Sequence, residues 1–169
     1  HLNLNGTTII TADHAFKGDV GYITNKGNLT LNGRVDQFKG EFTQTAGSTK
    51  LNDSRFFGGA VTLESGTIDA SMAAWLSDTE TQKLNVSGGE LTIGAIHLTS
   101  SDALSFTGGK ITVSGAMPDG KADFALNKGV VVNASGDASL SVNGDSYIGG
   151  TLTGLKEFSI DNGRLVLDD

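Results

Sequence analysis

A pattern of two alternating apolar residues, a glycine turn and two more alternating apolar residues recurs down the whole chain. Recurrence at a fixed interval constrains the fold more than any single motif, because it marks a repeat architecture. The clearest copies nearly superpose. Leu84-Asn85-Val86-Ser87-Gly88-Gly89-Glu90-Leu91-Thr92-Ile93 is followed 20 residues later by Leu104-Ser105-Phe106-Thr107-Gly108-Gly109-Lys110-Ile111-Thr112-Val113. With the first apolar residue as the mark, nine copies begin at Leu2, Tyr22, Phe42, Val61, Leu84, Leu104, Phe124, Leu140 and Phe158, at steps of 16 to 23 residues.

Glycine gives an independent check. It stands five residues after the mark in seven of the nine copies, at Gly27, Gly47, Gly66, Gly89, Gly109, Gly129 and Gly163. From 24 glycines in 169 residues, chance would place about one there. A tight corner between short strands often needs positive φ, which a residue with a Cβ adopts at a cost of about 1 kcal/mol or more. Asn5, Asn25, Asn127, Asn143 and Asn162 fall at the same corners, and asparagine tolerates that conformation better than most residues.

Alternation puts Leu84, Val86, Leu91 and Ile93 on one face of their strands and Asn85, Ser87, Glu90 and Thr92 on the other. Strands this short cannot bury an apolar face alone, so the copies stack at the strand spacing of ~4.8 Å into a solenoid. Ile96 and Leu98 read as a third strand of their coil. Leucine-rich repeats have a similar length but would show a recurrent Leu-x-x-Leu-x-Leu with an asparagine, and helical repeats need more than ~30 residues and a ~3.6 period. The expectation is an all-β, right-handed parallel β-helix of about nine coils of about 20 residues, one segment over 1–169 and cut from a longer rod. An antiparallel sandwich is the alternative, but it requires no fixed period. Thr24 and Gln44 stand where the pattern asks for apolar residues, and alternation fades after the turns of the copies at Phe124 and Leu140, so the register near 20–50 and 124–150 stays open.

The formal charge of −7 comes with 12 Lys and Arg scattered singly, which argues against nucleic acid and against an anionic membrane surface as partners. With no cysteine there is neither a disulfide framework nor a thiolate site. No stretch reaches the ~18 apolar residues of a membrane span.

Segments such as Gly27-Asn28-Leu29-Thr30-Leu31-Asn32-Gly33 and Gly89-Glu90-Leu91-Thr92-Ile93-Gly94 resemble the Gly-x-Leu-x-Leu-x-Gly units of the β-helical passenger regions of Gram-negative autotransporters and their two-partner relatives. The resemblance covers nearly the whole chain. It implies display outside the cell on the bacterial surface, absence of cysteine, and a role as stalk, adhesin or self-associating factor. The implied partner is a receptor or glycan of a host or neighbouring cell, or another copy of the chain.

Catalytic and metal chemistry finds little footing. His97 lies between Ile96 and Leu98, so alternation turns it outward with no second ligand at metal spacing. Gly144-Asp145 with Gly149-Gly150 does not repeat as a calcium nonapeptide would. No cofactor, metal site or catalytic set is expected. A polysaccharide lyase or hydrolase on the same scaffold is the competing reading, and its only acidic group near a longer insertion is Asp69, Asp78 and Glu80. That insertion, over 70–83, is alanine-rich after a potential Ser71 N-cap and would permit one or two helical turns. Trp75, with Met72 and Leu76, is expected to cover the solenoid flank, with an exposed partner contact as the alternative. Trp75, Asp78 and Glu80 are therefore the candidate partner-binding residues. Thr30, Thr92 and Thr112 suggest an outward threonine row, but Lys50, Asp69 and Val166 interrupt it. Open strand edges at both ends favour self-association.

Overall fold

The computed structural model describes residues 1–118 and 120–168, and every strand pairing in it is parallel. The chain is a β-solenoid. One sheet stacks Leu2–Leu4, Tyr22–Asn25, Glu41–Gln44, Ala60–Leu63, Leu84–Val86 and Leu104–Phe106 in chain order. The second sheet stacks eight strands, one per coil: Thr7–Ile10, Asn28–Leu31, Ser48–Leu51, Thr67–Trp75, Glu90–Leu98, Lys110–Val113, Ser139–Val142 and Glu157–Ile160. Eight coils at ~4.8 Å make a rod of about 38 Å. A third wall branches from the far half of Glu90–Leu98 through Phe124–Leu126, Ser146–Ile148 and Leu165–Leu167.

The coil count is eight, where the repeat marks suggest nine. The marks follow any alternating apolar pair, and all three walls are built from such pairs. Up to Leu104 they track the first sheet, with Ile23 and not Tyr22 in register with Leu2 and Phe42. Beyond it they cross over: Phe124 stacks on Ile96 in the third wall, while Leu140 and Phe158 stack on Ile111 in the second sheet. The first wall continues as Val131–Asn133 and Thr151–Thr153. Ser135 N–H donates to Phe106 O at 3.0 Å, the bond that Thr107 makes to Val86 O at 2.9 Å one coil earlier.

The alternation becomes burial in the expected sense. Leu29, Leu31, Ile68, Ala70, Leu91, Ile93, Ile111 and Val113 face the interior, at 0–1% exposure. Phe42 and Phe57 stack in the interior with centroids 4.6 Å apart. At the corner before the second sheet the backbones approach so closely that a side chain does not fit. A Cβ on Gly27 would lie 2.1 Å from Gly6 O, and one on Gly47 would lie 2.1 Å from Gly27 O. Gly47 also has φ +71, whereas Gly27 is outside the positive-φ region. The corner glycines thus answer to two separate constraints, conformation and contact.

Asn25 does not serve as a left-handed corner. It and Gln44 are fully buried inside the coil stack, because the register places Asn25 beside Gln44 with both side chains inward. Asn25 Nδ2 donates to Gln44 Oε1 and to Thr49 Oγ1, each at 3.0 Å, and Asn25 Oδ1 accepts Gly27 N–H at 3.1 Å. Gln44 Nε2 donates to Ala46 O. Burial of these amides is tolerated because their polar atoms find partners. Of the five corner asparagines, only Asn162 has positive φ, at 59°.

The expected helix over the alanine-rich insertion is absent. Thr67–Trp75 is one continuous nine-residue strand in which Ile68, Ala70, Ala73 and Trp75 are buried. It is hydrogen-bonded to Ser48–Leu51 on one side and Glu90–Leu98 on the other, and this pairing outweighs the weak helical preference of alanine. The irregular stretch shrinks to 76–83.

Candidate functional groove

Residues 76–83 leave the third wall after Trp75 and return to the first sheet at Leu84. Ser77 fixes the departure. It is 3% exposed with φ 43, an unfavourable conformation for a residue with a side chain. Its Oγ donates to His97 O at 2.7 Å and accepts Thr99 N–H at 3.2 Å, while Thr99 Oγ1 donates to Ser77 O at 2.7 Å. The loop of one coil is thereby clamped to the loop of the next. Farther out, Gln82 Oε1 accepts Asp78 N–H at 3.1 Å and Thr79 Oγ1–H at 3.2 Å, and Thr81 Oγ1 donates to Gly58 O at 3.0 Å.

Between this loop and residues 99–103 lies a groove of about 460 Å³, lined by Asp78, Glu80, Gln82, Lys83, Ser100 and Asp102 among others. Lys83 Nζ and Ser100 Oγ both donate to the Asp102 carboxylate. These hydrogen bonds, the Lys83 contribution first, and then the Lys83 charge hold the Asp102 pKa down at about 2. Asp102 is thus a fixed anion and is shifted away from the raised pKa that a general acid requires.

Of the candidate residues, Asp78 and Glu80 line this groove and Trp75 does not. Trp75 is 1% exposed, inside the solenoid and not on its flank, so it is no surface contact. The inward phase of the strand shifts at Ser71–Met72, where the pairing with Glu90–Leu98 also slips register, so Ala73 and Trp75 turn inward while Met72 and Leu76 remain 59% and 38% exposed. Asp69 lies on the outward face of the second sheet, outside the groove, and accepts Ser71 N–H at 3.1 Å. His97 also faces outward, its Nε2 2.6 Å from Ala122 O.

Ser77, Lys83, Ser100 and Asp102 are groove residues that sequence reasoning passed over. A signal for the ion pair existed. Lys83–Asp102, Asp137–Lys156 and Asp145–Arg164 each join opposite charges 19 residues apart, about one coil. In a solenoid that spacing plays the part of i,i+4 in a helix.

The outer surface of the first sheet is different in kind. Its register aligns Asn3, Thr24, Thr43, Thr62, Asn85 and Ser105 in one uncharged row of hydroxyls and amides. The threonines of the second sheet fall in a mixed row, Ile9, Thr30, Lys50, Asp69, Thr92, Thr112, Ser141 and Ser159. Val166 stacks on Tyr147 in the third wall and is not part of that row. Among the described residues no group of three or more metal-ligating side chains converges. No protein-family model, no curated protein and no solved structure matches this chain.

Proposed function

We propose that this chain is a non-catalytic structural and adhesive segment of a surface protein, displayed outside a Gram-negative bacterium as part of an autotransporter-type passenger. One observation carries the reading: an eight-coil rod whose first sheet offers an uncharged row of hydroxyl and amide groups along most of its length. Such a surface makes many weak, repeated contacts. The Gly-x-Leu-x-Leu-x-Gly segments supply the link to passenger regions. The partners in this reading are a glycan or receptor on another cell, or another copy of the chain.

The test displays the 169-residue chain on beads and measures their adherence to epithelial and bacterial cells, together with clumping of the beads. Retention above that of a bead carrying an unrelated acidic protein is expected. Equal retention on every surface, without clumping, rejects the adhesive reading. A polysaccharide lyase or hydrolase on the same scaffold is tested separately by oligosaccharide release from uronic-acid and cell-wall polymers. Steady release would replace the non-catalytic reading.

A further inference from the structure

The 76–83 loop is longer than the fold needs. The coil that contains it runs 23 residues from Val61 to Leu84, and the next runs 20 from Leu84 to Leu104, although both span the same wall-to-wall path. Ordering extra backbone is unfavourable, and the positive φ of Ser77 adds to that cost. The core gains little in return, since Asp78, Thr79 and Glu80 are exposed. What the loop provides is a wall for the groove.

We propose that the groove between residues 76–83 and 99–103 is a binding subsite for a non-anionic saccharide, a reading that rests on the adhesive function above. Its volume of about 460 Å³ falls in the range of small-ligand sites. Its lining is polar: hydroxyls of Thr79 and Ser100, the amide of Gln82, and carboxylates of Asp78, Glu80 and Asp102. Among the described residues the carboxylates of Asp78 and Glu80 have no hydrogen-bond or ion-pair partner, so each has acceptor capacity to offer a ligand. A carboxylate accepts from two hydroxyl donors at once, and the neighbouring hydroxyls and amide both donate and accept, which matches the vicinal hydroxyls of a sugar ring. An anionic sugar meets three carboxylates and one lysine already held by Asp102. A purely apolar ligand finds no aromatic wall. The clamp through Ser77 and Thr99 sets the loop before binding, which lowers the ordering cost.

The test is an amide chemical-shift titration of the whole chain with lactose, mannobiose and diacetylchitobiose, and with sialyllactose as the acidic counterpart. At least one neutral disaccharide should shift residues 77–83 and 99–103, and the acidic sugar should not. An Asp78→Asn/Glu80→Gln double variant should lose about tenfold or more in affinity, while Glu41→Gln on the first sheet binds as the parent does. Both substitutions are at exposed positions, and an unchanged urea midpoint shows that the fold is intact. Shifts that map elsewhere, no shifts with any neutral sugar, preference for sialyllactose, or undiminished binding by the double variant each overturn the subsite. If cell adherence or clumping survives in that case, the adhesive reading stands without the groove; if both are also absent, both readings fall.

Discussion

The corner glycines allow conformation and contact to be separated by mutation to alanine. Gly6 stands at the first corner with no atom within 4 Å of a built Cβ and no positive φ, so Gly6→Ala should be neutral, or stabilising by up to about 0.5 kcal/mol through the unfolded chain. Gly129 has φ +81 and equally open space, so alanine there meets only the conformational penalty, about 1 kcal/mol net. Gly27 presents the opposite case, with no positive φ but a Cβ 2.1 Å from Gly6 O. Comfortable carbon–oxygen contact begins near ~3.3 Å, so the coil must move by roughly 1 Å. The 3.0 Å bond from Asn28 N–H to Gly6 O would be weakened with it, for a total of about 2 kcal/mol. Gly47 combines both constraints and should lose about 3 kcal/mol. Urea unfolding followed by far-ultraviolet circular dichroism, at constant m-value, measures all four. The order Gly6, Gly129, Gly27, Gly47 is the claim. If Gly27→Ala is as harmless as Gly6→Ala, close stacking does not select glycine at these corners.

Three further outcomes are expected. Gly109→Val should cost at least about 1 kcal/mol, because Gly109 has φ +78 and its Cβ would lie 2.7 Å from Gly88 C and Gly89 O, whereas Thr112→Ser on the outward face should melt as the parent does; equal melting would remove Gly109 from the corner. Trp75→Ala should cost about 3–5 kcal/mol in the same urea assay, and Trp75→Phe much less, because Trp75 Nε1 is buried with no hydrogen-bond partner; a loss below about 1 kcal/mol for alanine would contradict the interior placement. Asp102, with its pKa depressed to about 2, contributes stability that is present above the ordinary aspartate pKa and lost as pH falls toward 2; Lys83→Met should move the carboxyl midpoint, followed by carbon NMR, back up toward 3.8, and an unmoved midpoint would rule out the Lys83 hydrogen bond as its cause.

Strand alternation was legible in the sequence because it reports a local constraint, and the glycine corners because conformation or close stacking demands glycine at the same point of successive coils. Where a coil sits in the stack is not local. Phe124, Leu140 and Phe158 satisfy the same apolar spacing as Leu84 and Leu104, and only their pairing partners tell the walls apart. The stretch after Ser71 failed for a related reason: alanine composition favours helix, but the strands on either side decide the outcome. Asp78 and Glu80 stood out because an insertion interrupts the period. Their companions Ser100 and Asp102 come from the following coil, so the groove becomes visible only once one coil is laid on the next.

The amides buried between the second and third coils bear on how such a chain finds its place. Apolar rungs of similar size are nearly interchangeable, and a growing stack of them can dock one rung out of step at small penalty. Asn25, Gln44 and Thr49 cannot be exchanged in this way. A rung that meets Asn25 without an inward amide leaves its donors dry, at about 1–3 kcal/mol for each unmet group. One wet pair in an otherwise oily column therefore works as a key cut for a single neighbour, numbering the rungs from that point on.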